Sequence, residues 1–524
     1  MKKILIFDTT LRDGSQGEYV SFTKEDKLKI CEMLDDLGLH YIEGGWPGSN
    51  PKDMEFFQEA RKIEFKNSKL TAFGSTAHPK NKNVKEDKNL QELIRSKAPV
   101  ITIFGKSWDF HVTQALKIGL NENLRLIEDS VFFLKDNKRE VIFDAEHFFD
   151  GYCANPEYAL KALEAAQKGG ADYITLCETN GGMLSHKIFE IVSIVCKFMR
   201  VPIGIHCHND SGCGVANSLE AIRAGAVLVQ GTINGLGERC GNANLCSIIP
   251  NLKFKMNYNC ISSVNIKKIT NVARTISELA NLSHDERQPY VGNSAFAHKG
   301  GIHVSAIEKN SKTYEHIEPE LVGNHRRVLI SELSGKSNIL YKAKNWKYEI
   351  EKEGKDLKPI LEQIKELENS GFQFESAEAS FEILMLKGLG KFEQLFKVIG
   401  FRVINERLGD GPTRCEATIK VEVNGKVEHT ASDGNGPVNA LDNALRKALM
   451  KFYPQILNIE LTDYKVRVLE GIAGTSAIVR VLIESSDDKN KWGTVGVSEN
   501  IVKASLDALI DSISFYLMKY ADLK

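Results

Sequence analysis

Three absences narrow the reading of this chain. No apolar stretch approaches the roughly 18 residues needed to cross a bilayer, so no membrane partner is expected. No sign of charge dominates: 68 basic residues stand against 69 acidic ones. That balance argues against a nucleic-acid partner. No C-x-x-C pair occurs among the ten cysteines, which therefore read as reduced, mostly buried thiols in a reducing compartment. The opening MKKILIFDTTLRDG is too soon interrupted by Asp8 and Arg12 for a signal peptide and reads as a first strand. At 524 residues the chain exceeds one ordinary domain. The expectation is a cytoplasmic enzyme of two or three domains.

The first part of the chain alternates strand and helix signals. Candidate strands are 4–8, 41–45, 70–75, 99–105, 140–146, 172–178, 201–208 and 227–234, with helical patterns such as 23–37, 156–168 and 211–224 between them. Thr23 followed by Asp26 has the form of a helix N-cap. Eight strand–helix units in about 250 residues match a (β/α)8 TIM barrel. An open doubly wound sheet is the rival. The barrel is favoured because polar residues cluster at the C-terminal ends of strands 1, 2, 5, 6, 7 and 8, which a barrel gathers at one mouth.

The chemistry-bearing residues sit at those strand ends. Arg12 and Asp13 follow strand 1 in FDTTLRDGSQG, His206 and His208 end strand 7 in HCHNDSG, and Asn242 follows strand 8 in GLGERCGNAN. Strand alternation puts His206 and His208 on one face and Cys207 on the other. An Asp, two His and an Asn carbonyl make a mixed oxygen and nitrogen donor set suited to Mn²⁺, Mg²⁺ or Zn²⁺. Arg12, beside Asp13, can stabilise negative charge on a substrate oxygen. Glu43 ends strand 2 and can fix the Arg12 fork. Glu146 ends strand 5 and can serve as a base or hold a water. Thr179 ends strand 6 and can bind a substrate carboxylate.

FDTTLRDGSQG, IEGGWPGSNPKD (42–53), HCHND and NGLGERCGNAN resemble the acyl-CoA condensing enzymes of the DRE-TIM metallolyase superfamily. That superfamily includes isopropylmalate, homocitrate and citramalate synthases and hydroxymethylglutaryl-CoA lyase. The resemblance implies that Asp13, Arg12 and Glu43 form its defining motif. FAHKGGIHVSAIEKNSKTYEHIEP (296–319) resembles the linker of the synthases and implies that His303 and Tyr314 assist catalysis, in a partner subunit's active site. Residues alone leave His303 equally readable as a structural histidine in a Gly-rich turn. The implied division is a barrel over 1–270, linker subdomains over 271–375 and an α+β regulatory and dimerisation domain over 376–524.

The C-terminal part carries an internal repeat. Blocks 415–452 and 465–513 each read as alternating strands, a Gly-rich loop and a helix. They resemble the regulatory domain of isopropylmalate and citramalate synthases, which implies a homodimer or higher assembly and an amino-acid effector. The loops GDGP (409–412), DGNGP (433–437) and GTVGVS (493–498) are candidate carboxylate cradles, or tight turns serving only the dimer contact.

The resemblance implies condensation of acetyl-CoA with a 2-oxo acid. IEGGWPGSNPKDMEFF (42–57), FDAEHFFDGY (143–152), LCETNGG (176–182) and WDFHV (108–112) look most like a bacterial citramalate synthase subgroup, which uses pyruvate. The C-terminal repeat then predicts feedback inhibition by isoleucine if the product is citramalate, or by leucine if it is isopropylmalate. Isopropylmalate and homocitrate synthases are the alternatives. Glu178, where that subgroup more often has Asp, is expected to disturb Thr179, and STAHPK (75–80) stands where a basic run is usual. An acyl-CoA lyase would not need the repeated domain. A non-catalytic amino-acid sensor would not need the full polar set.

Overall fold

A computed structural model describes the chain except residues 1, 82, 349–355, 408, 410–412, 470–476 and 521–524. The described chain divides into two compact units. One comprises residues 1–296 with 317–326, and the other 297–316 with 327–524.

The first unit is a closed parallel barrel of eight strands in sequential order. They are β1 (Leu5–Asp8), β2 (Tyr41–Gly45), β3 (Lys69–Ser75), β4 (Val100–Lys106), β5 (Glu140–Glu146), β6 (Tyr173–Glu178), β7 (Ile203–Cys207) and β8 (Leu228–Gly231). The barrel expectation holds, strand for strand to within a few residues. Closure is made by β1 on β8, with Phe7 opposite Gln230 and Asp8 opposite Gly231. The helix Lys24–Leu37 starts at a capping box in which Thr23 and Asp26 satisfy each other's backbone N–H groups. It buries Ile30, Leu34 and Leu37. Most strand residues face either this helical shell or the barrel interior. The helix-facing layer is mostly apolar, whereas the interior also holds Glu43, Thr71, Thr102, Asp144, Thr175 and Gln230, all buried. No helix among the described residues is long and apolar enough to cross a membrane.

The second unit begins with two short parallel strands, β9 (Ala297–His298) and β10 (Arg327–Val328). The charged connector is helical over Lys336–Asn345 and Lys358–Asn369. Two antiparallel three-stranded sheets follow: β11 (Lys397–Glu406), β12 (Arg414–Val423) and β13 (Lys426–Gly434), then β14 (Glu460–Val468), β15 (Val479–Ser486) and β16 (Lys491–Ser498). Helices Pro437–Leu449 and Ile501–Lys519 pack on them around a shared apolar core. The repeat is therefore present, but each copy starts one strand earlier than its sequence block, or part of one. GTVGVS is not a loop, because it lies inside β16. Its glycines serve close packing: a Cβ on Gly496 would stand 1.9 Å from the carbonyl oxygen of Ala504. Most of GDGP lies outside the described residues.

Candidate active site and metal centre

Asp13, His206 and His208 converge at the C-terminal mouth of the barrel. Their ligating atoms all lie within 4.8 Å of one another. His206 Nε2 is 3.4 Å from Asp13 Oδ2 and 3.4 Å from His208 Nε2. Two nitrogens about 2.1 Å from one ion at a tetrahedral angle are separated by about 3.4 Å, so the donor set fits a single divalent cation. His206 Nδ1 lies 2.9 Å from Gln230 Oε1, an atom that can only accept. The ring therefore carries its proton on Nδ1 and turns the Nε2 lone pair toward Asp13 and His208. Burial holds the His206 pKa down to about 4. Burial opposes charge on Asp13, yet Arg12, the two histidines and the Asn242 amide keep its carboxyl below the usual range.

Asn242 is brought to the same place by the loop after β8, where it bridges to His208. Its Nδ2 donates to the Leu236 carbonyl at 3.2 Å, and its Oδ1 is buried without a hydrogen-bond partner among the described residues. A buried acceptor left over in this loop is available as a further donor to a cation. The loop can wrap this tightly because Gly237 has φ +155° and a Cβ there would stand 2.2 Å from Asn242 Nδ2.

Arg12 lies next to this set. Its Nε donates to Glu43 Oε2 at 2.7 Å, its NH1 is 3.2 Å from Asp13 Oδ2, and its guanidinium carbon sits 3.7 Å from the centre of the Phe73 ring. Burial works against its charge, but Glu43 and Asp13 raise its pKa further and keep it protonated. Thr9 Oγ1 also donates to Glu43 Oε2, at 2.6 Å. The arginine is thus held from behind by a buried carboxylate that never reaches the pocket itself.

Arg12, Asp13, His206 and His208 line one pocket of about 230 Å³ together with Glu146 and Thr179. Glu146 is ion-paired with Lys106 at the end of β4. Thr179 Oγ1 accepts the His147 N–H at 2.9 Å, leaving its own hydroxyl proton to donate. The Thr179 carbonyl accepts from Arg239 at 2.7 Å, and the same guanidinium grips Asp210 with a pair of bonds at 2.8 and 3.1 Å.

Several pocket residues escape a reading by strand ends. Trp46, Phe73 and Phe104 form an aromatic wall with ring centres 5.5–5.7 Å apart. Asp144 lines the pocket floor, and burial, then Glu43, push its pKa up to about 8. The signal for Asp144 was available, because it lies two residues before Glu146 and so on the same strand face. Glu178 does not disturb the mouth. It points away, accepting the backbone N–H groups of Gly182 at 3.1 Å and Met183 at 3.4 Å, and burial pushes its pKa up to about 7. Cys207 is buried on the helix side of β7, as alternation requires. His303 and Tyr314 belong to the second unit, where their exposed rings stack with centres 4.1 Å apart.

Comparison with known proteins agrees with this geometry. The HMGL-like family model matches residues 3–276, the homocitrate synthase post-HMGL domain-like model 290–371, and the LeuA allosteric (dimerisation) domain 375–517. The (R)-citramalate synthase of Geobacter sulfurreducens is 58% identical over 100% of this chain and 99% of its own. That of Aquifex aeolicus is 58% identical over 99% of this chain and 98% of its own. The 2-isopropylmalate synthase of Methanocaldococcus jannaschii is 31% identical over 99% of this chain and 95% of its own. A barrel with this donor set, followed by this pair of C-terminal modules, places the chain in the (R)-citramalate synthase family of HMGL-like enzymes.

Proposed function

We propose that the barrel mouth condenses acetyl-CoA with pyruvate, giving (R)-citramalate and CoA, in a threonine-independent route to isoleucine in the cytoplasm. The observation that carries this is the convergence of Arg12, Asp13, His206, His208, Glu146 and Thr179 on one pocket, in a chain 58% identical to named citramalate synthases. Asp13, His206, His208 and Asn242 hold a divalent cation, Mn²⁺, Mg²⁺ or Zn²⁺. When bound, the cation supplies Lewis-acid polarisation of a keto oxygen.

The remaining steps belong to side chains. Thr179 donates its hydroxyl proton to the pyruvate carboxylate. Arg12, fixed by Glu43, presents its guanidinium where negative charge grows on the keto oxygen. Glu146 and, by resemblance, the partner subunit's His303 and the partner subunit's Tyr314 serve the proton transfers. A proton leaves the acetyl methyl group, the enolate carbon bonds to the keto carbon, and water cleaves the thioester to release CoA.

The test is CoA-thiol release with Mn²⁺, acetyl-CoA and one 2-oxo acid at a time. Turnover with pyruvate alone is expected; a preference for 2-oxoisovalerate or 2-oxoglutarate would transfer the protein to isopropylmalate or homocitrate chemistry. Glu146→Gln should lower turnover by about 10²–10⁴-fold, the range of a lost acid–base group, while pyruvate binding survives. Undiminished turnover would remove Glu146 from the mechanism. The C-terminal repeat is assigned to homodimerisation and isoleucine binding. A chain ending near Glu375 should lose inhibition by isoleucine, and inhibition that persists would put the effector elsewhere.

A further inference from the structure

Gln230 touches two parts of the site at once. It lies fully buried on β8, with its Cα opposite that of His206 on β7. Its Oε1 accepts from His206 Nδ1 at 2.9 Å. Its Nε2 donates to Asp144 Oδ1 at 3.0 Å and to Thr175 Oγ1 at 3.2 Å. A primary amide has one acceptor oxygen and two N–H donors, and both ends are engaged. In this orientation each end meets a complementary partner, the acceptor oxygen facing the His206 ring nitrogen and the donor nitrogen facing oxygens of Asp144 and Thr175.

Asp144 and Thr175 face each other on β5 and β6, so the Gln230 amide reaches past β7 to meet them. Gly204, paired with Thr175 on β7, leaves room beside that hydroxyl: a Cβ there would lie 3.0 Å from Thr175 Oγ1 and 3.0 Å from Leu228 Cδ2.

We infer that Gln230 is a positioning residue that couples the metal centre to the floor of the oxo-acid pocket, fixing the ligating nitrogen of His206 with one end of its amide and the Asp144 carboxyl with the other. The coupling to substrate rests on the condensation reading above; the coupling to metal does not. One group beyond the ligands thus governs both metal affinity and the shape that the substrate's side chain meets.

Two variants separate the ends. Gln230→Leu removes both. Gln230→Glu keeps an acceptor for His206 but replaces the donor facing Asp144. The measurements are Mn²⁺ titration of the metal-free full-length protein without substrate, and the ratio of kcat/KM for pyruvate to that for 2-oxobutanoate. Q230L should weaken Mn²⁺ binding by about 10–100-fold, the usual effect of losing a partner to a metal-bound histidine, and should shift the ratio. Q230E should hold Mn²⁺ affinity within about threefold, below that range, and shift the ratio alone. That split is one a merely structural residue would not give. Wild-type Mn²⁺ affinity in Q230L, or equal loss of both readouts in the two variants, would overturn the inference. If Q230L fails to fold, Q230E decides: a ratio shifted with affinity kept supports it, and a ratio unchanged overturns it. Because the titration uses no substrate, it stands even if pyruvate proves to be the wrong acid.

Discussion

Arg12→Leu is expected to lower turnover by about 10²–10³-fold, the effect of losing one group that stabilises transition-state charge, and to destabilise the fold by about 3–5 kcal/mol, as when one partner of a buried ion pair is removed. The stability loss follows from Glu43 rather than from Arg12. Glu43 is fully buried and its Oε1 has no hydrogen-bond partner among the described residues. Its other oxygen is held by Arg12 and Thr9. Without the guanidinium, one hydroxyl remains to compensate a carboxylate inside a barrel. The guanidinium carbon also sits over the Phe73 ring, so Leu gives back part of the contact but none of the charge. Arg12→Leu combined with Glu43→Leu should regain most of the stability and none of the activity. Urea unfolding together with CoA release separates the two effects; equal unfolding free energies for wild type and the single variant would show that the pair contributes nothing to the fold.

His208→Ala should abolish stoichiometric metal binding and lower turnover by about 10³-fold or more, since Lewis-acid stabilisation is worth several kcal/mol. Among the described residues, His208 belongs with Asp13 and His206 to a group of three side chains whose ligating atoms gather within 4.8 Å. Its Nε2 faces that of His206 at 3.4 Å, so one divalent cation between them would take a lone pair from each ring. Metal content after dialysis gives the direct reading, and an ion retained at one per chain would exclude His208 as a ligand. The pH dependence is also determined in sign. Burial depresses the His206 pKa to about 4, so its Nε2 stays unprotonated through the neutral range. Burial lowers the His208 pKa as well, so Mn²⁺ affinity should be nearly flat from pH 8 to 6. A loss centred near 6.5, the ordinary histidine value, would mean that one of the two rings titrates as if exposed.

The part of this site that a linear reading reaches is the part written in contiguous signals. Arg12-Asp13 and the His206-x-His208 step each follow an apolar run, and strand alternation alone assigns their faces. Glu43, Glu146 and Thr179 are legible because polar residues at the ends of barrel strands have one place to converge. Gln230 and Thr175 were not legible, since each is a single polar residue inside an apolar strand and only the register of β5 to β8 makes them neighbours of Asp144. Lys106 and Arg239 were missed for a different reason, because lysine and arginine at a loop edge look like any solvated charge until their partners Glu146 and Asp210 are placed. In the second unit, GTVGVS misled through its glycines. Glycine signals a turn by default, but here it admits a helix backbone against β16. Glu178 misled through chain neighbourhood: adjacent residues on a strand face opposite ways, so its extra methylene never meets Thr179's side of the sheet.

The barrel closes where β1 meets β8, joining the first strand to one formed more than two hundred residues later. The candidate ligands straddle that seam: Asp13 just beyond β1, His206 and His208 from β7, and Asn242 just beyond β8. A cation there is a clasp as well as a catalyst. It can form only after the last barrel strand is in register, because no fragment of the chain lacking β7 and β8 holds more than one of the four donors. Its binding energy is then added to the stability of the closed barrel. During synthesis the opening strand must wait with an unpaired edge until the ring is complete, a long loop closure that slows folding. Stripping the metal from the finished protein would loosen the ring first at this seam, so the amides of Leu5–Asp8 are where exchange with solvent should quicken before any other strand opens.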